Sequence, residues 1–140
     1  MTIEMQISRV LMSETQDTHF VELREVSPAE GAAPRTFPIV IGYTEAAAIE
    51  RRLLGQQLPR PQTHELLSSV IDALGHQVQS VIINDLNDHT FYAKLCLCSV
   101  ANSSDCHEID ARPSDAIALG AAMQVPIFVE EHVLATASPS

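Results

Sequence analysis

The segment from Asp110 to Asp115 places four polar side chains and a proline in the run Asp-Ala-Arg-Pro-Ser-Asp. Pro113 suits the first turn of a helix, where backbone N–H groups lack helical partners and can bind an anion. Arg112 can hold the same anion with two parallel hydrogen bonds, and Ser114 is a candidate binding residue beside it. Asp110 and Asp115 can hold a divalent cation or act as bases. These residue types predict an anion-binding or metal-binding junction between a strand and a helix.

A structural alternative for the same junction stays open at this level. Ser114 or Asp115 can satisfy the unpaired donors of the first helical turn. Arg112 can form an ion pair with Asp110 or Asp115. In that interpretation the junction stabilises the fold and binds no ligand.

Two other predicted helix starts carry candidate site residues. Thr63 is expected to cap the second helix, with Arg60 before it and His64 in the first turn, while Glu45 lies in the first turn of the first helix. We predict that His64 transfers protons and that Arg60, Thr63 and Glu45 contact the ligand. The structural alternative is a capping role for Thr63, a helix-dipole contact for Glu45 and an ordinary surface histidine at position 64.

One more aspartate stands apart from the local pattern. Asp85 lies on an otherwise apolar strand just before a turn, and the preference of Asn87 and Asp88 for turns does not explain it. We therefore predict that Asp85, Asp110 and Asp115 together hold a divalent metal ion, Mg²⁺ or Mn²⁺.

The three cysteines are predicted to be ordinary thiols. An odd count argues against a disulfide framework. Cys96 and Cys98 are two apart on one predicted strand, so their side chains would lie about 7 Å apart, too wide for a direct bridge. A metal site made of these two residues with Cys106 and His107 stays open, although the spacing contains no C-x-x-C pair.

Charge and composition limit the partners. The 140 residues include eight Lys and Arg against 18 Asp and Glu, a formal net charge of −10. Such a surface repels nucleic acid, so the protein should bind nucleic acid only weakly without a divalent cation. No apolar run approaches the roughly 20 residues that cross a membrane, and the N-terminus does not resemble a signal peptide. We predict a cytoplasmic protein without membrane contact.

The candidate residues must be positioned by an α+β fold, with a mixed β-sheet and about three helices in a single domain. Apolar alternation and turn signals predict strands at 1–12, 19–26, 37–41, 78–86, 90–99, 107–111 and 126–130. Helical spacing predicts helices at 45–54, 64–74 and 114–124. Residues 1–135 are assigned to the domain and residues 136–140 to a short flexible tail.

Two structural predictions depend on these elements. The strands of Ile109 and Ile127 should be parallel neighbours joined by the last helix. The apolar faces predict a set of core residues, and replacing one of them, Val70, by alanine should destabilise the fold by roughly 1–3 kcal/mol. The predicted core set is Leu66, Val70, Ile82, Leu95, Ile117 and Leu119.

The run from Asp110 to Leu119, followed by Val125-Pro126-Ile127, resembles the bifunctional nuclease domain family. The stretches 38–46, 60–67 and 85–93 agree with the same family in the same order. The resemblance implies an α+β fold and, from the plant members, nuclease activity on DNA and RNA. One departure is His89, where the family usually has glycine; a glycine there implies a positive φ, so we predict a strained or altered turn at His89.

Two functions follow from these observations. In the first, the protein is a metal-assisted phosphodiesterase: the three aspartates hold the cation, Arg112 contacts the phosphate, and His64 or a metal-bound water handles protons. In the second, it is a non-catalytic, homo-oligomeric module that binds a small anion or a protein partner at Arg112. The acidic surface favours the second function, and the family resemblance favours the first.

Overall fold

The computed structural model describes residues 1–13, 15, 17–121 and 123–139. Within these ranges seven strands form one mixed sheet accompanied by four helices, which confirms the predicted α+β class. The strands are β1 (Thr2–Met12), β2 (His19–Glu25), β3 (Thr36–Ile41), β4 (His76–Asn87), β5 (Thr90–Ser99), β6 (Cys106–Ala111) and β7 (Ile127–Glu130). The helices are α1 (Tyr43–Leu53), α2 (Thr63–Ala73), α3 (Pro113–Ala121) and α4 (Glu131–Ala137).

The sheet is curled. Its strand order is β3-β2-β1-β7-β4-β5-β6, and every neighbouring pair is antiparallel except β4 and β7. The ring of Phe37 on β3 stacks on Phe91 of β5 with 5.6 Å between centroids, although four strands separate β3 from β5 in the sheet. Twisted sheets of this size tend to curl, and here the curl brings the two ends of the sheet together around the core.

The crossover from β6 to β7 differs from the prediction. Ile109 and Ile127 lie on strands that run in the same direction, but β5 and β4 lie between them, so the two strands are not neighbours. The nine residues of α3 span about 13 Å, and moving three strand positions across a sheet requires about 14 Å. A short helix can therefore cross two strands, which the sequence pattern does not distinguish from crossing none.

The core lies on one face of the sheet, because buried side chains alternate along the strands. Val81 and Ile83 on β4 pair with Leu95 and Ala93 on β5, and all four are buried beneath the helices. The predicted core residues Ile117, Leu119 and Leu95 are buried, while Ile82 on the opposite face is half-buried.

The prediction for α2 is wrong in its orientation. Leu66 and Val70 are 55% and 44% exposed, whereas His64 and Ile71 are buried. Positions 64 and 71 are seven apart and lie on the same side of a helix, so a histidine occupies the inward stripe. Because Val70 already contacts water, Val70→Ala should change stability by only about 0.5 kcal/mol or less, well below the loss expected for a core residue.

The helix ends also differ from the sequence interpretation. Gly42 and Gln62 are the N-caps of α1 and α2, so the predicted cap Thr63 is the first helical residue of α2. A fourth helix, α4, continues through Ala137 into the segment predicted as tail. The predicted helix 114–124 includes Ala122 and the predicted tail includes Ser140, and both lie outside the described residues. No helix of the described ranges is long and apolar enough to cross a membrane.

The cysteine prediction is wrong for two of the three residues. Cys98 and Cys106 are opposite each other in the β5–β6 pairing and form a disulfide, whereas Cys96 is a half-buried free thiol. The prediction compared cysteines along one strand, but the bond forms between neighbouring strands, where directly opposite side chains are much closer.

The turn between β4 and β5 has the conformation that the family glycine implied. Asp88 and His89 have φ values of 51° and 64°. Two consecutive residues with positive φ are typical of the turns that join antiparallel strands. His89 therefore adopts a conformation that costs less for glycine than for histidine.

Candidate functional site

The strand-to-helix junction forms where the sequence predicts it. Arg112 follows the last residue of β6 and precedes α3, which begins at Pro113. The amides of Asp115 and Ala116 donate to the Arg112 carbonyl at 3.1 Å each, so Arg112 acts as the N-cap. Its backbone is fixed by the helix start while its side chain remains 65% exposed.

Four of the predicted site residues come together here, and we call His64, Arg112, Asp115 and Glu45 the junction cluster. His64 Nε2 lies 3.0 Å from Asp115 Oδ1. Arg112 donates to the other oxygen of the same carboxylate, Oδ2, from Nε at 3.0 Å and from Nη2 at 2.9 Å. Arg112 Nη2 also lies 3.1 Å from Glu45 Oε1. The cluster joins the first turns of α1, α2 and α3.

The ion pairs of the junction cluster contain more carboxylates than guanidinium groups. The hydrogen bond to Asp115, supported by Glu45, raises the pKa of Arg112 above its ordinary value, so the guanidinium stays protonated. One guanidinium faces two carboxylates, so these ion-paired groups repel a phosphate group that approaches the cluster. The structural alternative, in which Arg112 pairs with Asp115, therefore describes the resting geometry.

The start of α2, beside His64, is held by contacts that the sequence interpretation missed. Glu65 accepts a hydrogen bond from the Gln62 amide at 3.2 Å and lies 3.5 Å from Arg51 and 3.3 Å from Arg52. Arg52 in turn donates to the Leu119 carbonyl of α3 at 3.1 Å. This network fixes the start of α2 against α1 and α3, and so positions the adjacent His64.

The signal for this network was present in the sequence. A polar residue followed three positions later by glutamate, as at Gln62 and Glu65, is typical of a helix start in which the glutamate bonds back to the cap amide. Burial desolvates Glu65 and acts to raise its pKa, but the Gln62 amide, Arg51 and Arg52 outweigh that effect, and the pKa is lowered.

Two hollows meet at Arg112. A cavity of about 200 Å³ contains the junction cluster and is also lined by Thr63 and Arg51. A larger cleft of about 740 Å³ is also lined by Arg112, together with Ser114, Phe91 and residues 38–42 at the end of β3 and the start of α1. Ser114 therefore lines the larger cleft, whereas Thr63 lines the smaller cavity. The exposed Arg112 side chain can reach a ligand in either hollow.

The three aspartates predicted as metal ligands do not meet. Asp85 Oδ1 lies 3.5 Å from His132 Nε2, and Asp110 is paired in register with Lys94 on β5, while Asp115 belongs to the junction cluster. In the described part of the chain these three do not bring ligand atoms within 4.8 Å of one another. The sequence interpretation grouped them by chemistry, since carboxylates are ligands of divalent cations, and local patterns do not show which carboxylates meet in space. Arg60 is exposed in the segment before α2.

The chain is similar to a known protein family and to individual proteins from bacteria and plants. The model of the family described as bifunctional nuclease domain matches residues 28–140. An uncharacterized protein of Mycobacterium tuberculosis is 39% identical over 134 residues, which is 96% of this chain and 75% of that protein. Bifunctional nuclease 1 of Arabidopsis thaliana is 27% identical over 96 residues, which is 69% of this chain and 30% of that protein.

A rice relative extends the match over more of the chain. Bifunctional nuclease 1 of Oryza sativa subsp. indica is 23% identical over 138 residues, which is 94% of this chain and 42% of that protein. The chain therefore spans less than half the length of these two plant proteins.

Proposed function

This chain belongs to the bifunctional nuclease domain family, and we propose that it is a nuclease-like phosphodiesterase whose reaction centre is the junction cluster. The observation that carries the proposal is the position of Asp115. One of its oxygens lies 3.0 Å from His64 and the other 2.9 Å from Arg112, so a proton-carrying group and a phosphate-binding group share one carboxylate.

The roles follow from exposure and geometry. The side chain of His64 is 11% exposed and that of Asp115 is 36% exposed, so Asp115 is the member of the pair that meets solvent. Because a carboxylate only accepts, the Nε2–H of His64 donates to Asp115 Oδ1 and holds the side chain in place. The other oxygen, Oδ2, takes a proton from the attacking water and passes it to the leaving oxygen once Arg112 has moved away. Arg112 turns from the carboxylates to the phosphate, where its planar guanidinium stabilises the charge that develops on the oxygens.

A divalent cation fits part of this site. Magnesium is commonly held by one or two protein carboxylates and completes its shell with water and phosphate oxygens. Glu45 and Asp115 match that demand because both lie against the same nitrogen of Arg112. Asp85 and Asp110 do not, because they lie elsewhere. When bound between Glu45 and Asp115, Mg²⁺ or Mn²⁺ would supply charge neutralisation at the phosphate.

The cation also answers the electrostatic objection. A chain with a formal net charge of −10 repels a polyanion, and the junction cluster itself carries two carboxylates against one guanidinium. A divalent ion reverses the sign of that local balance. We therefore expect nucleic-acid binding and cleavage to require the ion.

A second candidate is favoured by the paired state of Arg112. If Asp115 and Glu45 hold Arg112 permanently, the junction is a non-catalytic binding module or a structural clamp. In this second candidate the protein is expected to form a homo-oligomer. Light scattering after size-exclusion chromatography tests that prediction. The cytoplasmic location stays a prediction.

The test is cleavage of labelled single-stranded and double-stranded DNA and RNA, with Mg²⁺, Mn²⁺ or chelator. Asp115→Asn and His64→Gln should each lower the rate by about 100-fold or more, because a positioned acid or base contributes that much. Asp72→Asn is the matched control, since Asp72 is an exposed aspartate near the other end of α2. Absence of cleavage by the wild type with every ion would favour the binding module.

A further inference from the structure

A second histidine–aspartate group lies at the start of β6, at the end of the strand opposite to Arg112. His107 Nε2 is 3.0 Å from Asp105 Oδ1, and His76 Nε2 is 3.6 Å from Asp105 Oδ2. One ligand atom from each of His76, Asp105 and His107 lies within 4.8 Å of the other two. We call these three residues the β6-start cluster, and none of them is shared with the junction cluster.

His76 is oriented as a metal ligand. Its Nδ1 lies 3.0 Å from the Leu74 carbonyl oxygen, and since a carbonyl only accepts, Nδ1 must carry the proton. In the neutral ring Nε2 then holds a lone pair directed at Asp105. This arrangement, with one ring nitrogen bonded to a carbonyl and the other free for a metal, is the usual one for metal-bound histidines.

The free nitrogen of His76 is itself informative. Within the described residues His76 Nε2 is a buried atom without a hydrogen-bond partner, because the carboxylate oxygen at 3.6 Å is too distant. Buried polar atoms in folded proteins are normally satisfied, and an exception calls for a partner such as a water molecule or an ion. A metal ion between the two rings and the carboxylate would satisfy it.

The loop that carries Asp105 is fixed on both sides. Ser99 donates to the Asp105 carbonyl at 2.9 Å, and the Asp105 amide donates to the Asn102 carbonyl at 3.0 Å. The disulfide between Cys98 and Cys106 closes the same loop. Asp105 and His107 flank Cys106, so in an extended chain their side chains emerge together on the face opposite the disulfide.

We propose that the β6-start cluster binds a divalent first-row transition-metal ion, with Zn²⁺ as the expected occupant. Two imidazoles and one carboxylate are a common zinc ligand set, with water in the remaining position. Imidazole nitrogens disfavour Mg²⁺ and Ca²⁺, which prefer oxygen ligands. His107 and Asp105 are about half exposed, with side-chain exposures of 54% and 48%, so an ion can enter from solvent. Bound there, it links the start of β4 to the edge strand β6.

The experiment is isothermal titration of the oxidised full chain with ZnCl₂, alongside histidine side-chain NMR. We expect saturable binding in the micromolar range or tighter, with shifts of the His76 and His107 ring signals. Losing a mere hydrogen-bond partner of a ligand costs 10–100-fold in metal affinity, so His107→Ala and Asp105→Asn should each raise the Kd of this site by about 100-fold or more.

A matched control separates the cluster from an isolated pair. His132 lies 3.5 Å from Asp85, again a histidine beside a carboxylate, but among the described residues no second histidine joins them. His132→Ala should therefore leave the zinc Kd unchanged. If the junction cluster also binds a zinc ion, that ion would still bind in His107→Ala and in Asp105→Asn. The result expected for the β6-start cluster is therefore the weakening or loss of one zinc site, not of all zinc binding.

Two results would overturn the proposal. One is the lack of any saturable zinc binding by the wild type up to about 100 µM. The other is binding that survives both substitutions with an unchanged Kd and unchanged stoichiometry. Asp105→Asn keeps the size of the side chain and His107 is exposed, and circular dichroism of each variant checks that the fold is retained. If either variant unfolds, the ring shifts of His76 and His107 in the wild type decide the matter.

Discussion

A histidine–aspartate contact lies near each end of β6, and the third residue beside it differs. At each end a histidine Nε2 lies 3.0 Å from an aspartate oxygen: His64 with Asp115 beyond the strand, and His107 with Asp105 at its start. At the first, an arginine occupies the other carboxylate oxygen; at the second, another histidine faces it. The third group therefore decides the chemistry: a guanidinium favours binding of an anion, whereas a second imidazole favours binding of a metal ion.

Burial separates the two groups as well. His64 is buried in the first turn of α2, and its neighbours are held by Arg51, Arg52 and Glu65. His107 is more than half exposed on an edge strand. A buried histidine with a fixed partner would suit the catalytic role proposed for it, because its geometry is set before a substrate arrives. An exposed ligand suits an ion that must exchange with solvent.

The largest expected effect is at Arg112, the type of residue that the junction cluster contains and the β6-start cluster lacks. If cleavage is measured with the wild type, Arg112→Ala should lower its rate by about 100–1000-fold, since a preorganised donor to the developing charge is lost. Stability should change by about 1 kcal/mol or less, because the Arg112 side chain is 65% exposed and its ion pairs are largely solvated. Thermal melting of the same sample measures this second quantity.

The choice of control arginine matters. Arg35, directly before β3, is not a suitable control. It donates to Glu25 at 3.0 Å and to Glu131 at 3.1 Å, so its replacement would disturb a packed network. Arg24 on β2 is exposed and is the better control. Should Arg112→Ala melt early while its folded fraction cleaves at the wild-type rate, Arg112 would be a structural clamp and the comparison between the clusters would fail.

A pair of matched substitutions sharpens the separation of the two clusters. Asp115→Asn should abolish most cleavage and leave the zinc Kd within about 2-fold, and Asp105→Asn should do the opposite, since effects at distant sites are close to independent. Both quantities are measured on both proteins. A variant that changed cleavage and zinc binding together would show that β6 couples its two ends, and the clusters would then have to be treated as one site.

A smaller effect is expected at the disulfide. The double variant Cys98→Ser with Cys106→Ser should weaken zinc binding by about 10-fold, because the loop that presents Asp105 loses its closure. It should also lower stability by about 2–3 kcal/mol, as expected for opening a short loop. Titration and thermal melting give the two values, and Cys96→Ser, which removes a free thiol on the same strand, is the control. Unchanged zinc affinity would show that hydrogen bonds alone hold the loop.

Local patterns made much of this structure predictable. The strand-to-helix junction, with a helix beginning at Pro113, follows from residue types that act within a few positions of one another. The positive φ at His89 follows in the same way from turn geometry. The sequence interpretation also selected all four members of the junction cluster as parts of one site, and the structure brings these four together without Asp85 and Asp110.

The errors concern distant neighbours. Which side of α2 faces inward depends on what α3 and β4 leave uncovered, and the sequence pattern favoured Leu66 and Val70 over the buried His64. The disulfide and the β6-start cluster depend on the register between β4, β5 and β6, which sets Cys98 opposite Cys106. Periodicity along one strand carries no information on that register.

The smallest expected effect concerns the support of His64, and it depends on pH. The pKa of Glu65 is lowered from its ordinary value of 4.5, because the Gln62 amide, Arg51 and Arg52 outweigh the opposing effect of burial. A group whose pKa is lower in the folded state stabilises the fold above its unfolded pKa, and that contribution is lost as the pH falls through the folded value.

Glu65→Gln should therefore cost about 1 kcal/mol at pH 7, and the difference from the wild type should vanish in strongly acidic solution. Urea unfolding of both proteins at several pH values measures it. Asp72→Asn is the control on the same helix: Asp72 is exposed and belongs to no ion pair of this network, so its replacement should change stability by no more than about 0.5 kcal/mol at any pH tested. A constant difference for Glu65→Gln across the whole range would mean that Glu65 acts by packing alone, and that the ionic support assigned to the junction cluster does not exist.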